Sequence, residues 1–313
     1  MHGIKVLVLG GSGFIGSHLC SYFKSRGIDY LAVDNYSNSS PDRYRILTQD
    51  FNDKNLVNKN LEEFLQHPTS HDFSHVIDLA YINGTRQFYT RGCEILENCI
   101  KSCKASIDFA ISINAHYIYA GTPESYGYPN VFPTPEKAEL SVPDVSNPRW
   151  SYAIGKIACE NYIHCKSNSA NWRKFTIFRP FNAYGPLDQG HAIPELVDKL
   201  MSSNDDLEVL GSPSDTRSFC YIGDMVKMIE CIMTASPEGK TFNVGNPLEI
   251  SMNELVENLM KIFEIQKNVI WLPSLQGNPI RRVPDVSEIQ KLAKDPLTSL
   301  EVGLQNIKDS KFK

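Results

Sequence analysis

The chain lacks an apolar run long enough to span a bilayer, a Cys-x-x-Cys pair and a run of lysine and arginine. Because a hydrocarbon core needs about 20 apolar residues in succession, we expect no membrane-spanning helix. The eight cysteines are scattered through helical patterns, whereas metal sites and disulfide frameworks have tighter spacing, so we expect neither. A net charge of −5 provides no field that would attract nucleic acid or an anionic membrane.

What the chain does have is the composition of an ordinary globular protein. It has 313 residues, of which 42% are hydrophobic and 21% are charged. This length suggests two domains, or one doubly wound sheet with an appendage. The first residues lead directly into an apolar strand pattern, so we expect no targeting peptide and a cytoplasmic protein.

A glycine-rich turn follows the first apolar run. Ile4–Leu9 has no polar alternation, which predicts a buried parallel strand, and a stretch of helical apolar spacing follows Gly10, Gly13 and Gly16. The unpaired amides and positive dipole at the start of a helix bind a pyrophosphate, and glycines allow it to approach. This pattern predicts a dinucleotide site, although a glycine turn alone is weak evidence.

The second strand pattern, Tyr30–Val33, strengthens this prediction because it ends in Asp34. A carboxylate at this position accepts hydrogen bonds from the adenosine ribose and repels a 2′-phosphate. The sequence therefore favours NAD over NADP as the cofactor.

Strand and helix patterns continue to alternate as far as about residue 180. We predict a third short strand at Arg45–Leu47, a fourth at His75–Ala80 and a fifth at Ala115–Ala120, with a long helix from about 88 to 111. Asp50 and Phe51 would follow the third strand and hold the adenine, or they cap the next helix.

Such alternation, with right-handed crossovers, specifies an open parallel sheet that binds ligands beyond the carboxyl ends of its strands. We predict an α/β fold, with a doubly wound parallel Rossmann sheet that binds NAD in residues 1–180. Residues 215–245 are expected to return to this sheet, and residues 181–313 to form a smaller α/β domain that binds the substrate.

Three residues form a candidate catalytic set. Thr122 follows the fifth strand, and Tyr152 and Lys156 are four positions apart in a helical pattern. A tyrosine needs about three pKa units of help, roughly 4 kcal/mol, to act as a base at neutral pH. The Lys156 ammonium and a nicotinamide ring could supply it. Tyr162 and Lys166 have the same spacing, but no hydroxyl residue at the end of a strand matches them as Thr122 matches Tyr152.

With these residues the chain resembles an extended short-chain dehydrogenase/reductase that acts on nucleotide-diphosphate sugars. This family includes sugar-nucleotide 4-epimerases, 4,6-dehydratases and UDP-glucuronate decarboxylases. The resemblance covers nearly the whole chain. Besides the glycine motif and the tyrosine–lysine pair, it rests on the segments Arg179–Pro186, Thr216–Ile222, Asn243–Pro247 and Arg281–Asp285.

The resemblance implies residue roles that agree with their chemistry. Asn182 would bind a phosphate oxygen, and Arg217 and Arg282 would clamp the diphosphate or sugar, because guanidinium groups pair well with phosphate. The full substrate site is expected to comprise Asn83, Thr122, Glu124, Asn182, Arg217 and Arg282. The expected cofactor site comprises Gly10, Gly13, Phe14, Ile15, Gly16, Asp34, Asn35, Asp50, Phe51, Leu79, Ala80, Tyr152 and Lys156.

In this family, hydride passes from sugar C4 to NAD while the tyrosine takes the hydroxyl proton. Related dehydratases carry Thr-Asp-Glu after the fifth strand, and decarboxylases carry Thr-Ser-Glu, whereas this chain has Thr122-Pro123-Glu124. Proline has no proton to give, so dehydration is disfavoured and carboxylate loss is unassisted. Glu124 would accept a substrate hydroxyl or act as a base beside the ketone.

We therefore expect an NAD-dependent enzyme that oxidises C4 of a nucleotide sugar. It would release the 4-keto sugar as a 4-dehydrogenase, or return the hydride as a 4-epimerase. UDP-glucuronate decarboxylation is the third alternative. Overall resemblance favours the GDP-heptose branch of bacterial capsule polysaccharide biosynthesis. A dinucleotide-sensing protein without activity would lack the tyrosine–lysine pair, and an NADPH carbonyl reductase conflicts with Asp34. Relatives suggest a homodimer through the helical stretches 88–111 and 151–168.

Overall fold

The computed structural model describes residues 3–202, 206–274 and 276–311. Its strands, in chain order, are β1 (Lys5–Leu9), β2 (Asp29–Asp34), β3 (Leu56–Asn58), β4 (His75–Asp78), β5 (His116–Ala120), β6 (Phe175–Pro180), β7 (Ala183–Tyr184), β8 (Asp206–Leu210), β9 (Thr216–Ser218), β10 (Cys220–Tyr221), β11 (Lys240–Val244), β12 (Glu249–Ser251), β13 (Asn268–Leu272) and β14 (Arg281–Arg282).

The helices complete the element order. They are α1 (Phe14–Arg26), α2 (Pro41–Thr48), α3 (Leu61–Gln66), α4 (Thr85–Thr90), α5 (Gly92–Ser112), α6 (Ser151–Ala170), α7 (Ala192–Met201), α8 (Ile222–Ala235), α9 (Met252–Phe263), α10 (Ser287–Gln290) and α11 (Leu300–Lys311), with short 3-10 turns at Pro123–Tyr126 and Pro148–Trp150. None of the described helices is both long and apolar enough to cross a membrane.

Seven parallel strands form the central sheet, in the order β3-β2-β1-β4-β5-β6-β11. The chain winds outward in one direction from β1 to β3 and in the other from β4 to β11. The predicted fold class, a doubly wound parallel Rossmann sheet, is confirmed. Ligands bind such a sheet at the carboxyl ends of its strands, near the reversal between β1 and β4.

Both faces of the sheet are covered, which is why β1 reads as a continuous apolar run. Val6 and Val8 pack in a cluster with Phe23 of α1 and Met225 of α8. Leu7 and Leu9 point the other way, into a second cluster that contains residues of α5 and α6. The site at the strand ends therefore rests on a rigid, fully buried layer.

The strand predicted at Arg45–Leu47 is wrong, because these residues lie in α2. Ser40 caps this helix, since its hydroxyl accepts a hydrogen bond from the Asp42 amide at 3.2 Å, and a proline follows at the first helical position. The third strand of the sheet is β3, and it pairs with β2 so that Asn58 lies beside Asp34.

The helix predicted from about 88 to 111 is two helices, because α4 ends at Thr90 and α5 begins at Gly92. The break aims Phe88 of α4 at the ring of Tyr152, with the ring centres 5.1 Å apart and the planes 10° from parallel. The short helix thus places an aromatic side chain against the ring of Tyr152.

A third apolar cluster lies in the later part of the chain. Residues of α7, α9, α11 and the parallel pair β8 and β13 pack together there, including Val197, Leu207, Leu259 and Leu304. By contrast, β11 pairs with β6 of the large sheet, and α8 packs in the cluster that covers one of its faces. The division into residues 1–180 and 181–313 stays a prediction.

Candidate active site

The glycine turn joins β1 to α1 as closely as the backbone allows. Gly10 has a φ of +79°, and a Cβ atom on it would lie 2.7 Å from the carbonyl carbon of Leu79. A Cβ atom on Gly16 would lie 2.2 Å from the carbonyl oxygen of Gly10. Gly13 caps α1 without a side chain, so the first amides of the helix keep no side-chain acceptor. This cradle fits a pyrophosphate.

Asp34 lies beside the cradle at the end of β2. Its Oδ2 accepts a hydrogen bond from the Ser12 amide at 3.0 Å, and its Oδ1 accepts from the Tyr36 amide at 2.8 Å and the Ser39 hydroxyl at 2.9 Å. These donors fix the carboxylate next to the glycine turn, where it can accept the ribose hydroxyls of a dinucleotide. Neighbouring Asn35 is exposed, and its amide group donates to Asn60 at 2.9 Å.

The other expected cofactor residues divide into two groups. Phe14 and Ile15 begin α1, and Leu79 and Ala80 follow β4, so all four lie at the strand ends beside the cradle.

Asp50 and Phe51 do not join them. They precede β3 instead of following it, and the Asp50 carboxylate accepts from the Asn55 amide at 3.2 Å, before the strand begins. Phe51 is 64% exposed. The prediction for this pair rested on the wrong third strand. Asn58 occupies the strand-end position beside Asp34.

Thr122 and Tyr152 meet at the carboxyl end of β5. The Thr122 hydroxyl oxygen accepts from the Glu124 amide at 3.2 Å, so its own proton remains available. Burial raises the pKa of Tyr152 well above its usual value, and the hydrogen bond with Thr122 opposes that rise. The phenol is therefore neutral in the protein alone, and it needs further positive charge before it can act as a base.

Lys156 lies one helical turn from Tyr152 and is almost completely buried. Its ammonium donates to the carbonyl of Ala120 at 2.6 Å and lies 5.7 Å from the Tyr152 ring centre. Burial lowers the pKa of Lys156 to about 8. The similarly spaced Tyr162 and Lys166 do not form a second such pair, because the Lys166 ammonium forms an ion pair with Asp108 of α5 at 2.6 Å.

Glu124 is held between two arginines. One Arg149 nitrogen lies 2.9 and 2.8 Å from its two carboxylate oxygens, and Arg282 donates to Oε1 at 2.8 Å. Burial raises the pKa of Glu124, but the two guanidinium groups outweigh it and hold the pKa at about 2. Within the described part of the chain, Arg149 Nε and Nη1 and Arg282 Nη2 are buried and find no acceptor. Unpaired donors therefore remain beside Glu124.

Arg217 adds a third positive charge to this group. Its guanidinium donates to the carbonyls of Thr216 and Ile280, both at 2.8 Å, and to that of Pro279. Burial, followed by the repulsion of Arg282, lowers the pKa of Arg217 to about 10. The resulting arginine cluster, Arg149, Arg217 and Arg282 around Glu124, carries excess positive charge and suits an anionic ligand.

Two predicted substrate residues have local partners in the structure. The Asn83 side chain is exposed and accepts from the next amide, that of Gly84, at 2.9 Å. The Asn182 side-chain amide donates to the Ser218 carbonyl at 2.8 Å, and its backbone has a φ of +31°. Their contacts with a substrate stay predictions.

Arg149 is the residue that sequence reasoning missed. It stands three positions before Tyr152, in a 3-10 turn that leads into α6, and only 3% of its surface is exposed. Its fixed spacing from Tyr152 and Lys156 is visible in the sequence, but nothing in that spacing indicates that the arginine is buried against Glu124.

No metal centre is evident in the described ranges. All eight cysteines are free, and no group of three or more histidine, cysteine, aspartate or glutamate side chains among these residues could hold a metal ion.

Four features are typical of a short-chain dehydrogenase/reductase. They are the parallel sheet, the glycine turn after β1, the acidic residue at the end of β2, and the set of Thr122, Tyr152 and Lys156. Within that class, the family model for the NAD dependent epimerase/dehydratase family matches residues 6–245. The chain belongs to this family, and NAD is its cofactor, as the acidic residue at the end of β2 predicted.

Known relatives extend the match over almost the whole chain. UDP-N-acetyl-alpha-D-glucosaminuronate decarboxylase of Bacillus cytotoxicus is 27% identical over 96% of this chain and 95% of its own. UDP-glucuronic acid decarboxylase 2 of Arabidopsis thaliana is also 27% identical, over 96% of this chain and 67% of its own. The fold matches that of a UDP-glucose 4-epimerase from Thermotoga maritima, with a TM-score of 0.87, 21% identity and 99% coverage of both chains.

Proposed function

We propose that the protein oxidises the C4 hydroxyl of a nucleotide-diphosphate sugar and releases the 4-keto sugar nucleotide, as an NAD-dependent 4-dehydrogenase. The family makes it an NAD-dependent enzyme of sugar nucleotides, with epimerases, dehydratases and decarboxylases among its members and neighbours. The observation that carries the proposal is the burial of Tyr152 and Lys156 one helical turn apart on α6, with the Lys156 ammonium bonded to the Ala120 carbonyl at the carboxyl end of β5, two positions before Thr122.

The side chains of this protein would remove the proton of the C4 hydroxyl. Bound NAD supplies the hydride acceptor. Thr122 donates a hydrogen bond to the sugar oxygen or to Tyr152 while keeping its proton, and the Tyr152 phenolate takes the C4 hydroxyl proton. Lys156 contributes the positive charge that stabilises the phenolate, because its ammonium is shielded from water and lies close to the ring.

We propose that the nucleotide half of the substrate binds in the later part of the chain. A cavity of about 340 Å³ opens at the carboxyl ends of β8 and β13, lined by residues that include Gly211, Asp215 and Ile280. Arg217 adjoins it, since its guanidinium bonds the Ile280 carbonyl. A volume of this size suits a small ligand, and the arginine suits a phosphate.

Decarboxylation of a sugar acid is a second candidate, and one specific observation favours it. The buried unpaired donors of Arg149 and Arg282 could hold a sugar carboxylate, and the relatives described above are decarboxylases by name. Epimerisation, in which hydride returns to the other face of the keto sugar, needs no group beyond those at C4.

A Tyr152→Phe variant tests the C4 chemistry. The NAD-loaded protein is incubated, with NAD in excess as the oxidant, with GDP-heptose and a panel of UDP, dTDP and CDP sugars in deuterated water, and products are identified by mass spectrometry. We expect loss of two hydrogens from one substrate and a fall in turnover of at least about 100-fold in Tyr152→Phe. Unchanged turnover in the variant would contradict the assignment, and loss of carbon dioxide would select the second candidate.

Two further proposals accompany this one. We propose a homodimer in which the exposed faces of α5 and α6 meet their copies, and a role in capsule polysaccharide synthesis if GDP-heptose is the substrate. Size-exclusion chromatography with light scattering tests the first, and the substrate panel tests the second.

A further inference from the structure

A buried carboxylate lies behind the candidate active site and takes no part in the chemistry proposed above. Asp78 ends β4 and has no exposed surface. Its Oδ2 accepts hydrogen bonds from the hydroxyls of Ser106 at 2.6 Å, Tyr117 at 2.7 Å and Tyr81 at 3.2 Å, and its Oδ1 accepts from the Ala80 amide at 3.2 Å. Burial raises the pKa of this carboxyl above its usual value, and the hydrogen bonds from Ser106, Tyr117 and Ala80 oppose that rise by favouring the charged form.

Tyr81 connects this carboxylate to Lys156. Its hydroxyl bonds Asp78, while the Lys156 ammonium lies 2.9 Å from the centre of its ring. The Tyr119 ring lies on the same ammonium, with its centre 4.7 Å away. Two aromatic faces and the carbonyl of Ala120 thus surround a buried positive charge. Ring faces attract a cation, but they carry no net negative charge to neutralise it.

We propose that Asp78 and Tyr81 are positioning residues, which keep the Lys156 ammonium charged and fixed behind Tyr152. The inference rests on the proposed function, because it assigns a use to the Lys156 charge. An ammonium removed from water loses its proton unless an anion is close, and Asp78 is the anion on this side of the site. Its attraction raises the pKa of Lys156 against the larger effect of burial, which lowers that pKa.

The other ionisable groups around Lys156 do not supply this charge. They are Tyr117 and Tyr119 of β5, Cys99 and Cys103 of α5, and Tyr152 and Cys159 of α6. Burial raises the pKa of the tyrosines, and hydrogen bonding with Cys159 together with burial raises the pKa of Cys99 and Cys103, so these groups are neutral.

Two remaining candidates are also excluded by their contacts. Hydrogen bonds with Cys103 and Cys99 lower the pKa of Cys159, but its sulfur also donates to the Cys99 carbonyl at 3.1 Å, which requires a proton on it. Glu124, the carboxylate nearest to Thr122, is neutralised by Arg149 and Arg282. Asp78 alone is left as the countercharge of Lys156 among the groups that face it.

A titration of Lys156 in the NAD-loaded protein tests the inference without substrate or turnover. Lysine is labelled with ¹³C at Cε, and the Lys156 signal is assigned as the one missing from a Lys156→Arg variant. We expect the titration midpoint to fall by about one pH unit in Asp78→Asn, which preserves shape and removes charge. Cys159→Ala, which removes an uncharged neighbour of the same ammonium, should leave the midpoint unchanged.

A wild-type midpoint in Asp78→Asn, or an equal fall in Cys159→Ala, would overturn the inference. If Asp78→Asn does not fold, Tyr81→Leu replaces it and should also lower the midpoint, whereas Tyr81→Phe keeps the ring and should change it less. An unchanged midpoint in Tyr81→Leu would likewise refute the arrangement.

The pH profile of kcat provides the functional readout. Its alkaline limb should move to lower pH in Asp78→Asn, whereas a purely structural role would lower stability and leave the profile in place. If Tyr152→Phe keeps full turnover, the proposed function fails while the titration still reports on the Asp78–Lys156 pair. The two failures are therefore distinguishable.

Discussion

Glu124→Gln should destabilise the protein strongly, although it changes one oxygen to a nitrogen. The substitution removes the only carboxylate that Arg149 contacts among the described residues, and 97% of the surface of that arginine is buried. Removing one partner of a buried ion pair typically costs about 3–5 kcal/mol, because the other charge is left without compensation. The glutamine oxygen can still accept one hydrogen bond, so we expect the lower part of that range.

The pKa of Glu124 provides an independent figure of the same size. The two arginines hold it at about 2, compared with a usual value of 4.5. At ~1.4 kcal/mol per unit, this depression corresponds to ~3 kcal/mol of folding free energy at neutral pH. Because the folded-state pKa is the lower one, this stability is complete above about pH 4.5 and is lost as the pH falls towards 2.

Differential scanning calorimetry of the NAD-loaded protein measures this effect. For a chain of 313 residues, ~3 kcal/mol corresponds to a fall in Tm of roughly 5 °C at pH 7. The difference between Glu124→Gln and the natural protein should shrink between pH 5 and pH 3, where the natural protein loses the same contribution.

Glu94→Gln is the matched control. Glu94 also accepts two hydrogen bonds from an arginine, Arg91, at 2.7 and 2.5 Å, but it is exposed on the first turn of α5. Water and salt screen such a pair, so its loss should barely change Tm. Equal Tm values for the two variants, or a Glu124→Gln deficit that does not change between pH 5 and pH 3, would refute the reasoning.

Two further substitutions test the cofactor cradle and the sheet. Gly16→Ala would place a methyl group within 2.2 Å of the Gly10 carbonyl oxygen. We expect at least a ~10-fold loss of NAD affinity, measured by fluorescence titration. Gly27→Ala, at the open end of the same helix, should retain the NAD affinity of the natural protein. Burial lowers the pKa of His116 to about 4, so the free energy of unfolding of the natural protein should fall by up to ~3 kcal/mol between pH 6.5 and pH 4. His116→Gln should reduce this fall, as measured by denaturant titrations at each pH. An equal dependence on pH in the two proteins would contradict the prediction.

The features predicted correctly from sequence are those that local pattern determines. The buried run Ile4–Leu9, the glycine turn and Asp34 lie within a single βαβ unit, so their geometry follows from spacing alone. Tyr152 and Lys156 share a face of α6 for the same reason. These residues gave the fold class, the family and the cofactor.

The errors occur where two local signals compete. Arg45–Leu47 has apolar content suited to a strand, but the Ser40 cap and the following proline start a helix that includes it. Leu56–Asn58, the real third strand, is too short to show a period and forms because β2 offers an unpaired edge. A local helix-start signal decided the first segment, and tertiary pairing, which no local window contains, decided the second.

The arginine cluster could not be predicted for a different reason, since its members come from distant parts of the chain. Arg149 lies 25 positions after Glu124, and Arg282 lies 158 positions after it. No periodicity relates such positions, and each arginine alone reads as a surface ion-pair residue. Their meeting depends on how the later segments pack beside the end of β5.

This cluster bears on what can follow oxidation at C4. A base at C5 needs a pKa near the working pH, whereas the two arginines hold the pKa of Glu124 at about 2. Pro123 has no proton to give, which leaves Thr122 and Tyr152 acting at one carbon. A sugar carboxylate held by Arg149 and Arg282 would also be stabilised in its charged form, which opposes its departure as carbon dioxide. We therefore infer that the keto sugar is released or is reduced again. Loss of carbon dioxide would require the sugar carboxylate to stay unpaired, which means that Glu124 would have to keep both arginines while the substrate is bound.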